Sequence, residues 1–150
     1  MSTNAERFVE RAGLVFEAEG LPRMAGRVLG HLMTCTPAEQ SIASIMKAQQ
    51  ASNGSISTMT RLLESQGYIE RLTFPGDRKD YFRLRPGAAL AMLTGAQRSM
   101  DTLRQLFDAA LALDAGQGLP QEAALEEARD LFTFLAAEYP AILERWRSRS

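Results

Sequence analysis

Residues 52–85 read SNGSISTMTRLLESQGYIERLTFPGDRKDYFRLR, and they force one order of elements: a helix, a glycine stop, and a hairpin with no linker between them. Ser52 is a good N-cap, with Ser55 three residues on, so the free amides at this end can be satisfied by side chains. Ile56, Met59 and Leu63 then recur at steps of three and four, which buries one stripe of a helix. Gly67 supplies the left-handed residue that ends it. Tyr68, Ile69, Leu72 and Phe74 lead into the turn signal Pro75-Gly76-Asp77, after which Tyr81, Phe82 and Leu84 return as a second strand. The spacing predicts a mainly α (α+β) chain in which a helix over about Asn53 to Gln66 stands beside a two-stranded wing.

The helix face opposite the apolar stripe carries Gly54, Thr58, Arg61 and Ser65, flanked by Asn53, Ser55 and Ser57. None is bulky and apolar, so this face can lie against base edges in a major groove. Arg78 and Lys79 fall at the hairpin tip, placed to meet phosphate or the minor groove. A lone basic turn is ordinarily a solubilising feature; next to a capped helix lined with serine and threonine it points to duplex DNA. The candidate DNA-binding residues are Lys47, Ser52, Asn53, Gly54, Ser55, Ser57, Thr58, Arg61, Arg78 and Lys79.

The stretch SIASIMKAQQASNGSISTMTRLLESQGYIERLTFPGDRKDYFRL resembles the winged helix-turn-helix of the MarR superfamily of bacterial transcription regulators. GLPRMAGRVLGHLM before it, the PGDRKDY wing and the late FLAAEYPAILERW are similar, more narrowly, to the GbsR-like branch. The resemblance implies a homodimeric regulator in the bacterial cytoplasm, with Arg78 as the wing arginine and a small-molecule effector.

Upstream, Thr3 or Asn4 opens a helix in which Phe8, Ala12, Val15 and Phe16 share a face, and Gly20 ends it. A second helix begins near Pro22 and contains Gly26 and Gly30, each costing about 1 kcal/mol relative to alanine. Glycines four apart share one face, so either the close approach of another helix or room for a ligand offsets that cost. Close packing is the preferred explanation, and Gly26, Gly30 and His31 are the candidate effector pocket should a ligand fill that space instead. Thr36-Pro37-Ala38-Glu39 has the form of a capping box, but Ser41 caps equally well. The expectation is a short turn and then a helix from Ile42 to about Gln50, the supporting member of the helix-turn-helix, with Ile42, Ile45 and Met46 inward.

Pro86-Gly87 breaks the second wing strand, and a long helix is expected from about Ala88 to Leu113. Leu93, Ala96, Met100, Leu103, Phe107 and Ala110 form a heptad seam suited to another helix. At 1.5 Å per residue this element spans roughly 40 Å, longer than a small domain needs for its own core. Residues 114–118, Asp-Ala-Gly-Gln-Gly, read as a flexible break; a helix follows with Leu125, Ala128, Leu131, Phe132 and Leu135, Tyr139-Pro140 interrupts it, and a last helix carries Ile142, Leu143 and Trp146. The candidate dimerisation residues are Phe8, Val15, Leu93, Met100, Leu103, Phe107, Leu131 and Trp146, the alternative for the seam being packing among these helices within one chain. The division expected is one domain over 1–150: N-terminal helices to residue 35, the winged helix-turn-helix over 36–85, and a helical dimerisation region over 86–150.

A net charge of -1 is awkward for a nucleic-acid binder until its distribution is considered. Between Gln40 and Arg85 seven basic residues (Lys47, Arg61, Arg71, Arg78, Lys79, Arg83, Arg85) face four acidic ones (Glu64, Glu70, Asp77, Asp80), a local +3 that leaves -4 for the rest. The sequence contains no apolar run long enough to cross a bilayer and no secretory signal, so a cytoplasmic location is expected. His31 and Cys35 are single members of their types, so a tetrahedral metal site would need carboxylates or a partner subunit, and neither a metal nor a cofactor is expected. Cys35 reads as a small packed side chain and His31 as a satisfied polar residue, each in preference to a redox or ligand role. No phosphate-cradling loop or convergent nucleophile and base appears, which argues against an enzyme. Two readings stand: a dimeric sequence-specific regulator, and a winged-helix protein-interaction module without DNA binding.

Overall fold

The computed structural model of the chain describes residues 2–114 and 117–149; the expected break at residues 114–118 therefore lies partly outside the described residues. The described chain forms two compact units, Met1–Met92 and Leu93–Ser150.

In the first unit, α1 (Asn4–Ala18) starts at a capping box, with the Thr3 hydroxyl accepting from the Glu6 amide at 3.1 Å and the Glu6 carboxylate accepting from the Thr3 amide at 2.7 Å. It packs on α2 (Arg23–Thr34), for which Pro22 is the N-cap. The glycines of α2 explain the contact. A Cβ on Gly30 would sit 2.5 Å from the Cβ of Ala12, and one on Gly26 would sit 2.9 Å from the Cβ of Phe16. Of the two explanations for this glycine pair, close helix packing is the one realised; its face is filled by α1, with no room left there for a ligand. The crossing also sorts α1: Val9, Ala12 and Gly13 are buried, whereas Phe8 and Val15, expected to share the Ala12 face, turn outward.

The Ser41 hydroxyl caps α3 (Ile42–Gln49) by accepting from the Ser44 amide, and Gln50 ends the helix in the left-handed region at φ 50°. Next comes α4 (Asn53–Ser65), capped by Ser52, whose hydroxyl accepts from the Ser55 amide at 3.2 Å. Ile56 and Leu63 are fully buried on it, together with Thr60, whose hydroxyl donates back to the Ile56 carbonyl at 2.9 Å. Gly67 follows at φ +79°, as the C-terminal stop requires.

The wing strands are β2 (Ile69–Thr73) and β3 (Asp80–Leu84), antiparallel with Arg71 opposite Phe82. A short strand not expected from the sequence, β1 (Gln40–Ser41), pairs with the other edge of β3, placing Gln40 opposite Phe82, so the sheet has three strands in the order β1-β3-β2. Two residues are too few for alternation to register in a sequence. Phe82 on the central strand joins Val28, Leu29, Ile45, Ile56, Leu63 and Ile69 in one core.

The long helix α5 runs Ala88–Asp114, close to its expected span, and α6 runs Glu122–Arg147 without a break. The expected interruption at Tyr139-Pro140 does not occur. An interior proline removes one backbone hydrogen bond and crowds the carbonyl four residues back, at a cost of about 3 kcal/mol. Here Ala141-Ile142-Leu143-Glu144-Arg145 resumes at once with good helix formers, and Leu143 is buried. Phe107 on α5 stacks on Phe132 of α6, with ring centroids 5.9 Å apart. That residue of the seam thus has a partner in its own chain. Among the described residues no helix is long and apolar enough to cross a membrane.

Candidate nucleic-acid interface

The outer face of α4 is open: Asn53, Gly54, Thr58, Arg61 and Ser65 are exposed, and Ser55 and Ser57 are half-buried beside them. Local bonds hold these side chains close to the helix. The Thr58 hydroxyl donates to the Gly54 carbonyl at 2.8 Å, the Ser57 hydroxyl to Asn53 Oδ1 at 3.2 Å, and Arg61 Nε to the Ser57 carbonyl at 3.2 Å. Arg61 keeps its terminal guanidinium nitrogens for an outside acceptor. A Cβ at Gly54 would meet nothing within 4 Å, so no packing within the chain requires glycine there. A glycine in the first turn of an exposed helix face, without an internal reason, suits a surface that something else approaches closely.

The wing tip is built rather than loose. Pro75 and Gly76, the latter at φ +80°, form a turn closed by the Asp77 amide donating to the Phe74 carbonyl at 3.1 Å. Asp77 then receives the Lys79 amide at 2.9 Å on Oδ1 and the Tyr81 hydroxyl at 2.6 Å on Oδ2. The Tyr81 hydrogen bond, followed by that from the Lys79 amide, holds the Asp77 carboxyl below its ordinary range. Tyr81 also meets Phe74 edge to face at 5.1 Å. Arg78 and Lys79 project from this braced loop, both exposed.

The structure revises the charge count. Arg71 pairs with Glu64 at 3.1 Å and Asp80 at 3.0 Å, and Arg83 with Glu70 and, at 3.5 Å, Glu39. Two of the seven local cations are thereby held by carboxylates, and three of the four local acids are held with them. Lys47, Arg61, Arg78, Lys79 and Arg85 are in no ion pair among the described residues, and Asp77 is committed to the wing turn. The unpaired cations of this local set are thus Lys47 on α3, Arg61 on α4, Arg78 and Lys79 at the wing tip, and Arg85 just beyond β3. Between α4 and the wing lies an open cleft lined by Ile42, Ser57, Thr60, Arg61, Arg71, Asp80 and Phe82.

The other single residues take structural places. His31 Nε2 lies 3.3 Å from Gln40 Oε1, and Gln40 in turn donates to the Pro37 carbonyl at 2.8 Å. Burial, the largest influence, pushes the Cys35 thiol upward from its ordinary pKa, away from the thiolate form a redox switch uses.

The family model of MmpR5-like MarR family transcriptional regulators matches residues 87–149. The HTH-type transcriptional regulator MmpR5 of Mycobacterium tuberculosis is 42% identical over 144 residues, which make up 95% of this chain and 87% of that protein. The chain belongs to the MarR family of transcriptional regulators. A crystal structure described as that of a transcriptional regulator is 40% identical and superposes with a TM-score of 0.81, covering 97% of this chain and 99% of the other. Membership makes this MarR-family chain a regulator and not an enzyme.

Sequence reasoning missed Arg71, Glu64 and Asp80 as a set. Arg71 and Glu64 sit on different elements, and Arg71 meets Asp80 diagonally across a strand pair whose register becomes known only once the sheet is formed.

Proposed function

We propose that this MarR-family regulator is a homodimer that binds duplex DNA sequence-specifically, with α4 in the major groove and Arg78 and Lys79 on phosphate or in the minor groove. The observation that carries the reading is the pairing of an open face on α4, polar apart from Gly54, with a braced cationic wing tip, while the nearby acids are held within the protein. The remaining candidate contacts are Lys47, Ser52, Asn53, Ser55 and Ser57. Gly54 lets the backbone approach a base edge, Thr58 and Arg61 read bases, and Lys47 and the wing cations meet the backbone. The domain division at residues 35 and 85, and a GbsR-like kinship within the family, belong to the same proposal. So does a location in the cytoplasm, where a bacterial regulator meets its DNA.

Arg78→Ala is expected to weaken binding to a fragment of the protein's own promoter and to lower the salt slope of affinity by about one. Unchanged affinity and slope in a mobility-shift titration would remove the wing from the mechanism. Arg61→Ala is expected to change which sites are selected from random DNA more than it changes overall affinity; recovery of the same motif would refute its role as a base reader. If the unaltered protein retards no promoter fragment at moderate salt, the chain is an interaction module instead.

The proposal includes a small-molecule effector, which acts by preferring one separation of the two reading helices over another. With the α1–α2 contact filled at Gly26 and Gly30 and His31 engaged by Gln40, its site lies elsewhere.

A further inference from the structure

Arg71 lies where three elements meet. It projects from β2, its Nε donates to Glu64 on α4 at 3.1 Å, its Nη1 donates to Asp80 on β3 at 3.0 Å, and its guanidinium carbon stands 5.2 Å from the centre of the buried Phe82 ring. The planar fork of an arginine can serve two carboxylates in different directions while resting on an aromatic face, which a lysine cannot do. Below it α4, β2 and β3 pack directly through Ile56, Leu63, Ile69 and Phe82, and Arg71 lines the open cleft described above together with Ser57, Thr60 and Arg61 of α4 and Asp80 of β3. We propose that Arg71 is a positioning residue for DNA binding: it fixes the angle of the wing to the reading helix and itself contacts no phosphate. This rests on the DNA-binding reading above.

The electrostatic expectation and the positioning expectation have opposite signs, which makes the test sharp. Glu64 and Asp80 are carboxylates beside a surface meant for a polyanion, so neutralising either should by charge alone strengthen binding. If they anchor Arg71, neutralising them should weaken it. The experiment is a salt titration of the full-length protein on its promoter fragment with Arg71→Met, Glu64→Gln, Asp80→Asn and the Arg71→Met/Asp80→Asn double variant. The expected result is a loss of about five- to tenfold for Arg71→Met with the salt slope unchanged, and a smaller loss for each carboxylate variant. The double variant should be no weaker than Arg71→Met alone, the signature of one shared interaction.

A slope reduced by about one in Arg71→Met, together with tighter binding by Asp80→Asn and Glu64→Gln, would make Arg71 a phosphate contact and overturn the proposal. Unchanged affinity in all four variants would overturn it as well. Should Arg71→Met unfold, Glu64→Gln decides the matter, since it leaves the Arg71–Asp80 pair in place: weaker binding supports the proposal and tighter binding defeats it. Failure of the unaltered protein to bind DNA is a separate outcome, refuting the functional reading and this inference with it.

Discussion

A Leu103→Glu/Leu131→Glu double variant is expected to remain folded over the winged-helix unit, to become monomeric, and to lose on the order of a hundredfold or more in affinity for its promoter fragment. Two helices alone cannot enclose a core. Among the described residues of α5 and α6, Leu93, Leu103, Leu106, Leu113, Leu131, Phe134, Ile142 and Trp146 are all substantially exposed, and Leu143 is the one buried hydrophobic beyond the first turn of α5. Exposed apolar side chains at this density suit a protein interface, as the proposed homodimer requires. The seam read from the sequence contributes Leu93 and Leu103, while Phe107 is partly used by its stack on Phe132. A two-fold partner would cover these faces and hold two reading helices for half-sites about one DNA turn apart. Losing the partner turns a two-site grip into a one-site grip, which is why the effect should exceed that of any single contact. Sedimentation and mobility shift on the same samples check it; an unaltered protein that sediments as a monomer, or a double variant that stays dimeric with full affinity, would defeat the dimer model.

Phe82→Ala is expected to cost about 3–5 kcal/mol of folding stability, a large share of the 5–15 kcal/mol that holds a typical domain together. The ring is 1% exposed, sits on the central strand with Gln40 opposite on one side and Arg71 on the other, and packs in the core that α2, α3 and α4 share. Removing it leaves a cavity where sheet and helices meet and takes away the surface on which Arg71 rests. Phe82→Leu should cost less than half as much, because it keeps most of the volume. Denaturant unfolding followed by circular dichroism measures both; a loss below about 1 kcal/mol for the alanine variant would mean that the site collapses around the gap.

Helix α4 and the wing are legible in the sequence because short-range chemistry fixes them. Ser52 bonds an amide three residues away, Gly67 and Gly76 adopt positive φ, and the Pro75-Gly76 pair specifies a turn; each depends only on its neighbours. The same holds for the span of α5 and for the exposure of Asn53, Gly54, Thr58 and Arg61, which follows from helical period once Ile56 and Leu63 face inward. Other features were illegible for a matching reason. The two-residue strand β1 exists because β3 offers it an edge, and α6 passes through Pro140 because residues on both sides continue the helix.

What the sequence alone determined is where α3, α4 and the wing turn start and stop, together with which face of α4 is free to meet another molecule, since hydrogen bonds and dihedrals within a few residues set these. The tertiary structure decided which cations remain available, by folding Glu64 and Asp80 onto Arg71 and Glu39 and Glu70 onto Arg83. It also decided that the glycines of α2 serve packing and that Phe8 and Val15 face outward, because steric fit and ion pairing between distant segments depend on distances that no local pattern encodes.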